Sequence, residues 1–131
     1  MRISLASQLL FLLLVLLKAP TAGAGEADVI SAEVEHTGGN FYRFTVTVKH
    51  DDKDWEHFAK AWEIVDLDGN ILGARILMHP HINEQPFTRS HTISLPENIN
   101  RVTIRAYDLI HKFGGKELTI DINKGNQNEI N

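Results

Sequence analysis

Apolar and polar residues alternate with a period of two along most of the chain after residue 28. Alternation of this kind is typical of β-strands with one buried face, whereas an amphipathic helix repeats its apolar positions every three to four residues. Turns rich in Gly, Pro, Asn and Asp separate the alternating runs. The pattern predicts seven strands, whose apolar positions lie within residues 30–34, 42–48, 62–64, 72–78, 87–95, 102–106 and 118–122.

Seven short strands joined by turns favour an all-β fold, an antiparallel sandwich of the immunoglobulin or fibronectin-III type. Trp62 falls on the third strand, where such sandwiches commonly bury a tryptophan. Asp68-Gly69 is a hairpin signal between the third and fourth strands. The 131 residues contain no Cys, so the core must be held by packing alone, and thiolate metal sites and thiol catalysis are excluded. Residues 55–60 are left open between a loop and a short helical turn.

The first 24 residues are predicted to be a cleavable signal peptide. Arg2 supplies a positive charge, residues 9–17 are an unbroken apolar run, and Ala22-Gly23-Ala24 fits a cleavage site before Gly25. A membrane anchor is the alternative, but the apolar run is about half of the ~20 residues that a spanning helix needs. No Cys follows the run, which argues against lipid anchoring.

Cleavage would leave a sandwich domain of residues 25–123 and a frayed tail of residues 124–131. We expect this domain to be periplasmic or secreted, with no stable membrane anchor after cleavage.

The whole chain has 13 basic and 17 acidic residues, which give a net charge of −4. Loss of Arg2 and Lys18 leaves 11 basic and 17 acidic residues, a net charge of −6. This acidic balance argues against nucleic-acid binding, which needs a basic stripe. The absence of Asn-x-Ser/Thr favours a bacterial setting.

The distribution of the seven histidines is the most informative polar feature. In an antiparallel strand order, the loops after the second, fourth and sixth strands lie together at one end, which we call the upper end. Only His36 is predicted at the opposite end, and His91 lies just below the upper end in the fifth strand. The upper loops carry the remaining five histidines, His50, His57, His79, His81 and His111.

Clustered imidazoles on loops indicate a metal site, because imidazole is the commonest protein ligand for metals and a rigid scaffold can position loop residues. Pro80 favours extended backbone at His79, so His79 and His81 can point the same way. Asp108 shares the parity of the core-facing residues before it and is predicted to point into the mouth of the sandwich. With His111, these residues predict a site for Cu(II) or Zn(II).

Three other histidines are second-choice ligands. His50 and His57 flank a solvated acidic loop, which favours a passive role. His91 has the inward parity of its strand, as a hydrogen-bonded core histidine would. Carboxylates of the same loops are candidates for a fourth ligand or for acceptors that fix the imidazole tautomers, namely Asp51, Asp52, Asp54 and Glu84.

Residues 79–90, His-Pro-His-Ile-Asn-Glu-Gln-Pro-Phe-Thr-Arg-Ser, carry a resemblance to a protein family. The chain resembles an uncharacterised family of small exported bacterial β-sandwich proteins with an HPHxxEQPFTRS-like signature. Other shared features are Trp62-Glu63 before the Asp68-Gly69 hairpin, and a late segment with Asp108, His111, Gly114 and Gly115. The resemblance covers most of residues 28–122 and implies that these segments form one unit, but it implies no activity.

These observations support two main hypotheses of function. The first is an exported β-sandwich that binds Cu or Zn through loop histidines at one end. The second is a non-catalytic structural or protein-interaction module, or an accessory subunit of a periplasmic partner, with no metal. Enzyme activity is not expected, because the sequence shows no Ser-His-Asp order, nucleophile elbow or phosphate loop. A small enzyme at a metal site is a third and weaker hypothesis.

Overall fold

The alternating runs form seven β-strands in the computed structural model, which describes residues 25–122. The predicted signal peptide, the predicted tail and residue 123 lie outside the described residues. The described residues contain no helix, so residues 55–58 form a turn and residues 59–60 begin the third strand. No helix long and apolar enough to cross a membrane occurs among them. The strands are β1 Asp28–Gly38, β2 Phe41–Lys49, β3 Ala59–Val65, β4 Ile71–Ile76, β5 Phe87–Ser94, β6 Arg101–Asp108 and β7 Leu118–Asp121.

The strands form two antiparallel sheets, which confirms the expected all-β architecture. One sheet has the order β1-β2-β5 and the other the order β4-β3-β6-β7. Their alternating apolar side chains meet in one core, in which Trp62 and Phe44 are fully buried. Buried aromatic side chains of this size each stabilise a core by several kcal/mol, because truncation to alanine typically costs about 3–5 kcal/mol. Packing of this kind holds the sheets together without a disulfide.

A β-bulge changes the predicted inward face of β1. The register against β2 shifts between Val29 and Ser31, so one residue is added on the β1 side. Val29 is therefore fully buried, whereas Ile30 is exposed. Simple alternation predicted that Ile30 points inward. The extra residue exchanges the inward and outward positions before Ser31 and leaves those after it unchanged.

The predicted inward face of β4 is wrong over most of the strand. Leu72 packs against the core, but Ile76 and Met78 are exposed and Leu77 is buried instead. Gly73 faces the core, because a Cβ built there would lie 2.7 Å from Ile93 Cγ2. The register of β4 against β3 shifts near Leu72, so the inward-facing positions differ before and after that residue. The edge strand thus brings its backbone close to β5.

The antiparallel order brings three loops together at the upper end, as predicted. The side chain of Gln85 joins two of them, since its Oε1 accepts the His50 N–H at 3.0 Å and its Nε2 donates to His81 O at 2.9 Å. The third loop joins through the Leu109 N–H, which donates to Phe58 O at 3.3 Å. His36 lies at the opposite end, where its Nε2 contacts Gly39 O at 2.7 Å.

Candidate metal centre

Asp52 is the buried carboxylate that holds two of the upper loops in place. Its Oδ1 accepts the Ala59 N–H at 3.0 Å and its Oδ2 accepts the His81 N–H at 2.7 Å. Oδ1 also contacts Nδ1 of His50. Burial acts to raise the pKa of Asp52, but the hydrogen bonds from His50, His81 and Ala59 outweigh it and lower that pKa. Asp52 therefore stays ionised and fixes the orientation of the His50 ring.

His50 has a protein acceptor beside each ring nitrogen. Nδ1 faces Asp52 and Nε2 lies 2.9 Å from Gly25 O, so both nitrogens are placed to donate. Burial acts to lower the pKa of His50, but Asp52, the Gly25 carbonyl and Asp108 outweigh it and raise that pKa. The metal-free state therefore favours a buried imidazolium, and a metal bound at Nε2 would replace one proton.

Asp108 lies at the end of β6 and is completely buried, as its parity predicted. Its Oδ1 accepts the backbone N–H groups of Ile110 and His111, each at 2.8 Å. Two further hydrogen bonds close the turn between Asp108 and Lys112, which has a left-handed φ of 59°. This turn places the His111 ring over the Asp108 carboxylate.

Three imidazoles surround the Asp108 carboxylate. Nε2 of His57 lies 3.4 Å from Oδ1, while Nδ1 of His111 and Nε2 of His50 lie 3.3 Å and 3.8 Å from Oδ2. One ligand atom each from His50, His57 and Asp108 lie within 4.8 Å of one another. His57 Nε2 and Asp108 Oδ2 are buried, and neither has a hydrogen-bond partner among the described residues. This arrangement can hold a cation.

The loop between β2 and β3 folds so that His57 reaches this group. The carboxylate of Asp54 accepts the backbone N–H groups of Glu56 and His57, at 2.9 Å and 3.0 Å, which tightens the turn before His57. The His57 side chain is 22% exposed and that of His111 is 33% exposed, whereas His50 and Asp108 are fully buried. An ion could therefore enter between His57 and His111.

The predicted ligands separate into two neighbouring groups. Asp108 and His111 contact each other. His79 and His81 also contact each other, with ring centroids 4.6 Å apart, but His81 faces Asp52 and stacks on Phe87 at 4.0 Å. His79 is exposed, and its Nδ1 contacts Pro80 O at 3.0 Å.

His81 and His91, two further predicted positions, lie outside the group of His50, His57 and Asp108. Burial, followed by the charges of Arg89 and His79, lowers the pKa of His81, which favours a neutral ring. His91 is half-buried on β5 with its ring 6.4 Å from that of Trp62, below the upper loops. Of the carboxylates predicted to fix the imidazole tautomers, Asp52 does so for His50, because its Oδ1 contacts His50 Nδ1.

Two histidines predicted only as second-choice ligands, His50 and His57, belong to the group around Asp108. His50 continues the inward parity of Val46 and Val48, and this signal could have identified it as a buried residue. His57 has no such signal, because the Asp54 turn decides its direction. In the sequence, Gly25 is marked only as the residue after the predicted cleavage site, and the fold brings its carbonyl to His50.

Comparison with known proteins gives one relative in sequence and a weak likeness in structure. No protein-family model matches the chain. A protein of Halomicrobium mukohataei named "Putative lipoprotein" is 38% identical over 100 residues, which are 76% of this chain and 49% of that protein. The chain thus spans about half the length of the curated relative it matches. The superoxide reductase (1Fe-SOR) from Giardia intestinalis superposes with a TM-score of 0.43 at 14% identity over 72% of this chain and 99% of that chain, a likeness too low to carry an argument.

Proposed function

We propose that this protein is an exported β-sandwich that binds a divalent ion, Zn(II) or Cu(II), at its upper end. His50, His57 and Asp108 are the central ligands, and His111 is the fourth. The observation that carries the proposal is the pair of buried atoms without a hydrogen-bond partner, His57 Nε2 and Asp108 Oδ2. Leaving such atoms unpaired costs about 1–3 kcal/mol each, and a bound cation would remove that cost.

The distances around Asp108 also support a bound ion. Zinc lies about 2.0–2.2 Å from nitrogen and oxygen ligands, so two ligands of a tetrahedral ion are roughly 3.3 Å apart. The nitrogens of His57 and His111 lie 3.4 Å and 3.3 Å from the Asp108 oxygens. His50 Nε2, at 3.8 Å, would move by only a few tenths of an ångström. The spacings of His57 and His111 from the carboxylate thus match those of a tetrahedral site, and the ligand atoms of His50, His57 and Asp108 lie within 4.8 Å of one another.

Asp52 is proposed to support the centre without touching the ion. A carboxylate that accepts the far N–H of a metal-binding imidazole fixes its tautomer and raises its basicity. Asp52 has this relation to His50 and also holds the backbone of His81. His81, a predicted ligand, is accordingly proposed to support the centre through Asp52, and His79 contacts the His81 ring beside it.

A structural module without a metal is the second candidate. It is favoured by the protein acceptors beside both nitrogens of His50, since a buried imidazolium between two carboxylates is a self-sufficient arrangement. In that case the upper loops would stabilise the sandwich or contact a periplasmic partner. Neither candidate requires catalysis.

Export is proposed from the apolar run and small residues before Gly25, and the name of the Halomicrobium relative supports it. The same proposal groups this chain with the small exported proteins that share the signature of residues 79–90.

A fibronectin-III type is also proposed for the sandwich. It is supported by the strand order, in which β5 crosses to pair with β2 while β4 stays beside β3.

The metal proposal is tested by titrating the purified protein with Zn(II) and Cu(II) against a competing chelator. We expect His57→Ala to lower the affinity for the bound ion at least tenfold. His36→Ala is the matched control, because it removes the histidine at the opposite end. Equal affinities of the unaltered protein and of the folded His57→Ala variant would overturn the proposal, and so would the absence of binding.

A further inference from the structure

We propose that removal of the first 24 residues creates a metal ligand, the free α-amino group of Gly25, which binds Cu(II) together with the Gly25 carbonyl oxygen. This inference rests on the proposed function and deepens it. The centre would then be completed by processing of the chain, and the unprocessed chain would hold copper less tightly.

Gly25 lies between two histidines of the proposed centre. Its carbonyl oxygen is 2.9 Å from Nε2 of His50. A Cβ built on Gly25 would lie 2.8 Å from Cε1 and 3.3 Å from Nε2 of His111, so its Cα packs against that ring. The α-nitrogen is bonded to the same Cα, about 1.5 Å away, so both donor atoms of Gly25 belong to a residue that contacts the two rings.

Glycine suits this position. A Cβ there would lie 2.8 Å from Cε1 of His111, so any larger residue would displace that ring. A small residue directly after Ala22-Gly23-Ala24 is also compatible with a signal-peptide cleavage site. The residue that would become the first of the exported chain is therefore the residue that the site can accommodate.

The segment that follows Gly25 is held firmly against the loop between β6 and β7. The Val29 N–H donates to Lys116 O at 2.8 Å, and the Lys116 N–H donates to a carboxylate oxygen of Asp28 at 2.7 Å. Ala27 is buried, and a Cβ on Gly115 would lie 2.0 Å from its carbonyl oxygen. These contacts fix the path of the chain just after Gly25.

The chemistry of the nitrogen changes when the preceding peptide bond is hydrolysed. In the uncleaved chain, the lone pair of the Gly25 nitrogen is delocalised into the carbonyl of Ala24 and is not available to a metal. Hydrolysis gives a free amine, which can bind an ion in a small chelate ring with the Gly25 oxygen. A set of nitrogen and oxygen donors without thiolate favours Cu(II), because Cu(II) has the highest affinity of the divalent first-row ions for such sites.

The test removes the amine without changing a side chain. The full gene is expressed with its own first 24 residues, and mass spectrometry identifies the first residue of the exported protein. Pyridoxal phosphate then converts the terminal amine of Gly25 to a carbonyl by transamination and leaves lysines intact. Protein treated identically without pyridoxal phosphate is the control. Copper affinity is measured by competition, and copper ligation by electron paramagnetic resonance.

We expect transamination to lower the affinity for Cu(II) at least tenfold and to change the nitrogen couplings in the copper spectrum, with a smaller loss for Zn(II). Equal copper affinity and identical spectra would overturn this inference and leave the metal proposal standing. A first residue other than Gly25 would also overturn it. If neither form binds metal, the proposed function itself is wrong.

Discussion

His57 Nε2 lies 3.4 Å from Asp108 Oδ1, and this contact joins the loop after β2 to the end of β6, about fifty residues further along the chain. The His57 nitrogen is buried without a hydrogen-bond partner among the described residues. At this distance the two atoms make no hydrogen bond with each other. A cation between them would convert the same geometry into two strong interactions.

Metal binding at this contact is expected to raise thermal stability through Asp108. An ion at one hundred times its dissociation constant stabilises the folded state by about 2.7 kcal/mol. For a domain of this size, that corresponds to a rise in Tm of roughly 10 °C or more. Asp108→Asn keeps the volume and one acceptor oxygen but should reduce the metal-induced rise to near zero. A rise of equal size in Asp108→Asn and in the unaltered protein, measured by calorimetry, would contradict this.

Asp52→Asn is expected to weaken both the fold and the metal site. It removes a buried charge that contacts His50 and accepts the backbone of His81 and Ala59. Breaking one partner of a buried pair typically costs about 3–5 kcal/mol, and loss of a carboxylate behind a ligating histidine costs about 10–100-fold in metal affinity. Urea denaturation and metal titration measure the two effects. Asp51→Asn, at the exposed neighbouring residue, should change neither.

Gly73→Ala is expected to destabilise the domain because β4 and β5 approach closely there. The new Cβ would lie 2.7 Å from Ile93 Cγ2, closer than real contacts allow. Overpacking of this kind typically costs about 1–3 kcal/mol. The cost should be smaller when Ile93→Ala is already present, since that change removes the atoms in the way. Urea midpoints of the two single variants and the double variant give this comparison, and full additivity would contradict the explanation.

The sequence predicted the strands and the end of the sandwich that carries the histidines, because both follow from alternation and antiparallel order. It also predicted that Asp108 points inward, since parity is uninterrupted along β6. It failed where one residue is inserted. The bulge beside Val29 and the shift near Leu72 reverse the parity. Only the second has a local signal, since Gly73 follows Leu72 and an isolated glycine inside a strand often marks a bulge.

The composition of the site was harder to predict than its location. Spacing favoured His79 and His81, but the His81 ring faces Asp52 and stacks on Phe87, while His79 is exposed. The compact group around Asp108 depends on contacts between residues that are distant in sequence, such as the one between Gly25 and His50. Contacts of this kind have no local pattern, so only the fold reveals them.

The pH dependence of stability should include a contribution from Asp66 in the hairpin at the opposite end. Its carboxylate accepts the Asn70 side chain at 2.9 Å and the backbone N–H groups of Asn70 and Asp68 at 2.8 Å and 2.9 Å, and these bonds, that of the Asn70 side chain first, lower the pKa of Asp66. A lowered folded-state pKa gives stability that is present above the unfolded value of about 3.9 and is lost as the pH falls through the folded value. Asp66→Asn should therefore be less stable than the unaltered protein at pH 6, and the difference should shrink toward pH 2. Urea midpoints across this range measure it, with Asp68→Asn as the control in the same turn, and a difference that stays constant with pH would show that the Asp66 charge has no part in it.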